Sequence, residues 1–248
     1  MLLHISEDMN LQKSYADNFM LRQENIKQKE NIKMSKYVIV DLEMCRVPKG
    51  LKREEFRGAN EIVEIGAVLL DNTYEITDKF KTYVSPEYGE VDRYIQELTG
   101  ITKTDTVDAP TIKEALELFA EWLPEDAILV SWSDNDEKQI RKEIELKNLE
   151  IPKIQNYLIN WKDCQKTFSE KMNTSKKYRL SEALIIADID YNENIHDGLV
   201  DAENTAMLFA KMKREPKLKL ISCYLAEEDN STMYTPISGL LKNFSYAI

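Results

Sequence analysis

Histidine, cysteine, glycine and proline are all scarce in this 248-residue chain, which has 2, 3, 7 and 7 of them. The cysteines, Cys45, Cys164 and Cys223, are odd in number and far apart, with no CxxC pair. Neither a zinc site nor a disulfide framework is therefore suggested, and a reducing, cytoplasmic setting is expected. So little glycine and proline argues against a low-complexity chain. No apolar run approaches the length needed to cross a bilayer, so no membrane partner is expected. Ser6, Glu7, Asp8, Asn10 and Gln12 interrupt the first residues, which argues against a signal peptide. Positive charge is also short: 33 Lys and Arg against 44 Asp and Glu give a net charge of −11. A polyanionic partner would then have to be met by local basic patches and bound metal, not by the overall field.

Against that background one stretch stands out, Tyr37-Val38-Ile39-Val40-Asp41-Leu42-Glu43-Met44. The apolar run reads as a strand buried on both faces. Side chains alternate along a strand, so Asp41 and Glu43 point the same way. Two carboxylates side by side repel and call for a counter-charge, and oxygen ligands on a rigid element suit Mg²⁺ or Mn²⁺. A solvated acidic turn at the end of a strand is the plainer alternative.

Residues 1–34 are rich in Asn, Gln, Lys and Glu with a thin apolar face, and read as a helical or loose appendage. The main domain is expected over 35–215. Arg46 to Asn60 is a loop with Arg46, Lys49, Lys52, Arg53 and Arg57. Glu61 to Leu70 and Lys79 to Val84 are hairpin-spaced strands. Asp92 to Leu98 is a short helix ended by Gly100, and Thr111 to Leu123 a clearer one with Ile112, Ala115, Leu116 and Phe119 at helical period. Ala127 to Val130 is a strand. A helix follows from about Asp134 to Asn148, with Asp134 and Glu137 as a capping box. Tyr157 to Asn160 reads as a further strand, and Asp163 to Phe168 and Leu180 to Ala187 as helices flanking a basic loop with Lys171, Lys176, Lys177 and Arg179. A last helix opens near Asp201. This order predicts an α/β domain with a mixed sheet, an antiparallel meander followed by helical crossovers to parallel strands. Residues 216–248 read as a tail packed on the domain.

Acidic residues thus stand at the ends of buried elements: Asp41 with Glu43, Asp136 in a helix's first turn, and Asp201 with His196 five residues ahead. The pieces VIVDLEM, SWSDNDEKQI and HDGLVDAENTA, with EIVEIGAVLLD and ELTGIT, closely resemble the DEDDh branch of the DnaQ-like 3′–5′ exonucleases, nearest in look to Eri/KapD-like members. The resemblance covers roughly residues 36–212. It implies an RNase H-like five-stranded sheet flanked by helices. It also implies two divalent cations, Mg²⁺ or Mn²⁺, on Asp41, Glu43, Asp136 and Asp201, with His196 as the catalytic residue. Asp134 is the competitor for the second motif, but the family's spacing from the aromatic position, here Trp132, favours Asp136, and the cap reading accounts for Asp134. His4 lies in the appendage, so His196 is the one histidine within the domain, and an imidazole can take a proton from water at neutral pH. Met44 and Cys45, just past the acid pair, are placed against the terminal nucleotide by the same resemblance, with core packing the alternative for Met44. The expected substrate is single-stranded RNA or DNA, cut from the 3′ end to nucleoside 5′-monophosphates. A silent RNase H-like binding module and a polymerase's proofreading subunit are the competing readings. A protein partner at the appendage or tail is compatible with each of these.

Overall fold

The computed structural model describes residues 36–48, 58–215 and 217–220. The expected appendage, most of the basic loop after the first strand, and nearly all of the tail lie outside these residues. The compact unit begins at Lys36. Its centre is a five-stranded sheet in the order β3-β2-β1-β4-β5. The strands are β1 (Tyr37–Arg46), β2 (Asn60–Leu70), β3 (Ile76–Tyr83), β4 (Ile128–Ser131) and β5 (Lys162–Asp163). β1 runs antiparallel to β2, and β2 to β3, whereas β4 and β5 add in parallel on the other side. This is the mixed α/β sheet that the motif order predicts.

The helices are α1 (Arg93–Thr99), α2 (Lys103–Val107), α3 (Ile112–Trp122), α4 (Asn135–Leu146), α5 (Pro152–Tyr157), α6 (Cys164–Lys171), α7 (Leu180–Ile186) and α8 (Gly198–Arg214). They cover both faces of the sheet, which is why β1 needs apolar side chains on each. Val38, Val40 and Leu42 pack with Ile112, Leu116 and Phe119 of α3 in one core. Ile39 faces a second core with Phe168, Leu184 and Leu208 from α6, α7 and α8. Burying a side chain such as Phe119, with no exposed surface, is worth roughly 2–3 kcal/mol.

Local chemistry sets the helix ends. Thr111 and Glu114 form a reciprocal capping box on α3. Asp92 caps α1, and Gly100 closes it at φ 77°, where a side chain would be strained. α2 has its own box, Thr102 with Asp105; the Thr-x-x-Asp spacing is the sequence signal for this helix.

Two expectations need correction. Tyr157 to Asn160 is not a strand: Pro152 opens α5, which ends at Tyr157, and Leu158–Asn160 is a 3₁₀ turn. The strand is the two-residue β5 that follows. A run of three apolar residues cannot separate strand from helix by period alone, and Ile159 here is exposed. Asp134 occupies the N-cap position of α4 but makes no capping hydrogen bond; its carboxylate pairs with Lys138 instead. Just past α8, Leu218 and Leu220 are half-buried against the second core.

Candidate active site

Asp41 and Glu43 leave the same side of β1, two residues apart, just before a register shift between Glu43 and Met44. Asp136 is in the first turn of α4, and Asp201 in the first turn of α8. Asp136 is 6% exposed and Asp201 9%. Asp134, its rival in the second motif, faces solvent with 45% of its side chain exposed. The exposed His196 precedes α8 with a left-handed φ of 67°. One ligand atom each from Glu43, His196 and Asp201 can lie within 4.8 Å of one another. The backbone N–H of His196 donates to Asp201 Oδ2 at 2.9 Å, which ties the histidine to the carboxylate five residues on.

The protonation energetics describe one crowded cluster. Burial, then the charges of Asp136, Asp201, Glu43 and Glu64, pushes Asp41 well above the ordinary carboxylate range. Glu43 is lifted to about 9 by burial first, then by Asp201, Glu64 and Asp136. Burial raises Asp136 to about 7, against hydrogen bonds that pull it down. Asp201 is also raised, with burial the main cause. Four acids that resist ionising together are what a site built for added positive charge should look like without it. The donor set fits hard divalent cations: carboxylate oxygens, one imidazole in reach, and a buried Asp201 Oδ1 with no hydrogen-bond partner among the described residues. Asp41, Glu43, Asp136 and Asp201 would hold them.

The supports are equally specific. α8 lies directly over β2 because Gly66 has no side chain: a Cβ there would overlap the backbone of Gly198 and Leu199. Asp197 caps α8, its Oδ1 accepting from Leu199 N–H at 3.0 Å and Val200 N–H at 3.2 Å. Its Oδ2 takes the ammonium of Lys81 on β3 at 2.8 Å, and the same ammonium is 3.1 Å from the buried Glu64 of β2. Burial pushes Asp197 up, but the Lys81 hydrogen bond and charge and the helix N–H groups outweigh it, holding the carboxyl below its usual range. At the far end of α4, Glu143 accepts from Ile62 N–H at 2.6 Å, and Lys147 bridges Glu143 at 3.2 Å and Glu61 at 2.5 Å. That buried network fixes α4 against β2, and so fixes Asp136. Sequence reasoning passed over Glu61, Glu64, Lys81 and Asp197. The available signal was two glutamates inside a strand otherwise apolar enough to be buried on both faces.

Two expected substrate contacts fare differently. Cys45 is fully buried among Val63, Val91, Ile95 and Ile101, with Gly89 seated over its sulfur. Burial, then the charge of Glu61, pushes its thiol up to about 12. It is out of a nucleotide's reach, because the segment leading into α1 covers that end of β1. Met44 is half-buried against the first core and keeps some exposed surface. In the basic loop, Lys176 pairs with Glu182 and lies 4.5 Å from the Tyr178 ring centroid, and Lys171 donates to the carbonyl of Glu215. Arg46 stacks over Tyr94 at 4.9 Å.

The chain is similar to known proteins in sequence and in fold. ERI1 exoribonuclease 2 of Danio rerio is 31% identical over 184 residues, 64% of this chain and 32% of that protein's length. DNA polymerase III subunit epsilon of Aquifex aeolicus is 32% identical over 193 residues, 77% of this chain and 87% of that protein. This chain therefore spans about a third of the first relative and most of the second. The crystal structure of the nuclease domain of 3′hExo, a DEDDh family member bound to rAMP, superposes with a TM-score of 0.63 at 25% identity, covering 76% of this chain and 97% of that one. A family model for exonucleases (RNase_T) matches residues 38–209. The chain belongs to the 3′–5′ exonuclease family of the DEDDh type, on an RNase H-like sheet.

Proposed function

We propose that this chain hydrolyses single-stranded nucleic acid, RNA in the first place, from its 3′ end and releases nucleoside 5′-monophosphates. The observation that carries the reading is the convergence of Glu43, His196 and Asp201 ligand atoms within 4.8 Å, among carboxylates that burial keeps from ionising freely. Asp41, Glu43, Asp136 and Asp201 would hold two divalent cations, Mg²⁺ or Mn²⁺, which would supply compensation for the anionic phosphodiester and for the departing 3′ oxygen. His196 takes the proton of the attacking water; its exposure lets it pass that proton on to solvent. Asp201 orients His196 through the backbone bond. The preference for RNA rests on the exoribonuclease relative. A proofreading subunit acting on DNA is the second reading, favoured by the long match to subunit epsilon.

The test is digestion of 5′-labelled linear single-stranded RNA and DNA, and of a circular strand, with Mg²⁺ and with Mn²⁺. Stepwise shortening of the linear strands and survival of the circle are expected. Release of short oligonucleotides from the circle would sink the exonuclease reading. Faster turnover of DNA than of RNA would favour the proofreading one.

A further inference from the structure

We propose that Lys81 is a positioning residue for His196: through Asp197 it fixes the 196–198 segment on the sheet and so presents the imidazole to the carboxylate cluster. The inference deepens the exonuclease reading and rests on it for the role of His196.

The geometry runs along one row of the sheet. Asp41 of β1 is in register with Gly66 of β2, and Gly66 with Lys81 of β3. Gly66 supplies the empty place on which Gly198 sits. Lys81 stands beside that place and closes it, its ammonium at 2.8 Å from Asp197 Oδ2. Asp197 is the residue directly after His196, and its other oxygen is spent on the α8 cap. Both oxygens are thus committed, and the residue has one orientation.

His196 needs such a hold. A non-glycine residue at φ 67° is in the sparsely populated left-handed region, where it persists only if its surroundings over-determine it. Its N–H bond to Asp201 fixes one side. The Lys81–Asp197 pair fixes the other. An exposed imidazole has no packing of its own to aim it, so the backbone must do so. Lys81 is also drawn to Glu64, of which 1% of the side chain is exposed. This anchors the lysine on the sheet side and stops it following Asp197 if the loop moves. Lys81 touches none of the four acids expected to hold cations, and it acts through its neighbours.

Two alternatives make different predictions. If Lys81 grips a substrate phosphate, its loss raises KM. If it merely stabilises the fold, its loss lowers the melting temperature and leaves turnover per folded molecule alone. The experiment uses the full chain with His4→Gln, so that a single imidazole remains for proton NMR in metal-free buffer. Lys81→Met should move and broaden the His196 ring resonances. On 5′-labelled single-stranded RNA with Mn²⁺ it should lower kcat about tenfold or more with KM within about twofold, as expected when a proton acceptor is misaimed. Lys81→Arg should recover most of that loss. Asp197→Asn, which keeps a capping side chain but gives up the charge pair, should reproduce Lys81→Met and serves in its place if that variant does not fold. Unmoved His196 resonances with unchanged kcat overturn the proposal, and so does a rise in KM with kcat intact. If the unmutated chain cleaves nothing, the exonuclease reading fails, while the resonances still decide whether Lys81 positions His196.

Discussion

Stripped of metal, the domain should lose stability as pH rises through neutrality, opposite to the usual behaviour of a protein rich in paired carboxylates. Glu43 carries the effect most simply. Its ordinary value is 4.5, and in the folded protein it is lifted to about 9, chiefly by burial. Between those values the folded state holds a proton that the unfolded chain has released. Stability from this group is therefore complete below pH 4.5 and is lost as pH rises toward 9. One proton retained in this way makes a slope of about 1.4 kcal/mol per pH unit, so pH 6 to 8 removes close to 3 kcal/mol. Asp136, at about 7, adds to the slope below neutrality. Asp71, Asp105, Glu114 and Asp134 are shifted down instead and act only in acid, outside this window. Urea unfolding in EDTA at pH 6, 7 and 8 measures the slope. Glu43→Gln should flatten it and leave the metal-free protein more stable than the parent at pH 8. Stability that rises from pH 6 to 8, or a Glu43→Gln variant weaker at pH 8, would refute the view that the acid cluster is strained without cations.

The remaining expectations are narrower. Asp136→Asn should abolish most nuclease activity while Asp134→Asn, which breaks only an exposed pair with Lys138, stays within about twofold of the parent; the reverse result would move the second motif. Calorimetry with Mn²⁺ should find His196→Ala close to the parent in affinity and slow in turnover; a fall as deep as that of Asp41→Ala would make the histidine a ligand. Gly66→Ala should cost about 1–3 kcal/mol or more in urea unfolding, because the methyl must displace the backbone at Gly198, and should lower kcat with it. Unchanged stability there would mean that α8 does not rest on β2 as described.

The candidate site was legible through the resemblance to the DEDDh exonucleases, whose motifs fall at strand and helix ends in this sequence. Strand alternation puts Asp41 and Glu43 on one side, and the family's His-x4-Asp motif picks out His196 and Asp201. The mixed sheet followed from the order of strands and helices. What was not legible depends on partners distant in sequence. Cys45 is one residue past Met44, yet it is buried by a segment more than forty residues later. Lys81 looks like an ordinary strand lysine until Asp197 comes to it across the sheet. Tyr157 to Asn160 failed for a different reason: a run of three apolar residues leaves its conformation to the neighbouring proline.

The outer strands of the sheet have a further consequence. A strand at the rim offers a row of unpaired backbone groups to any other chain with a strand to add. Here one rim is β5, which at two residues is too short to template anything. The other is β3, whose eight residues include Asp78, Lys79 and Lys81. A second copy laid along β3 in antiparallel fashion would bring these charges close to their counterparts and strip them of water. The rim lysines are paired with α8 and the residue before it, Lys79 with Glu203 at 2.5 Å and Lys81 with Asp197 at 2.8 Å. Among the described residues, then, both rims of the sheet are poor templates for a further strand.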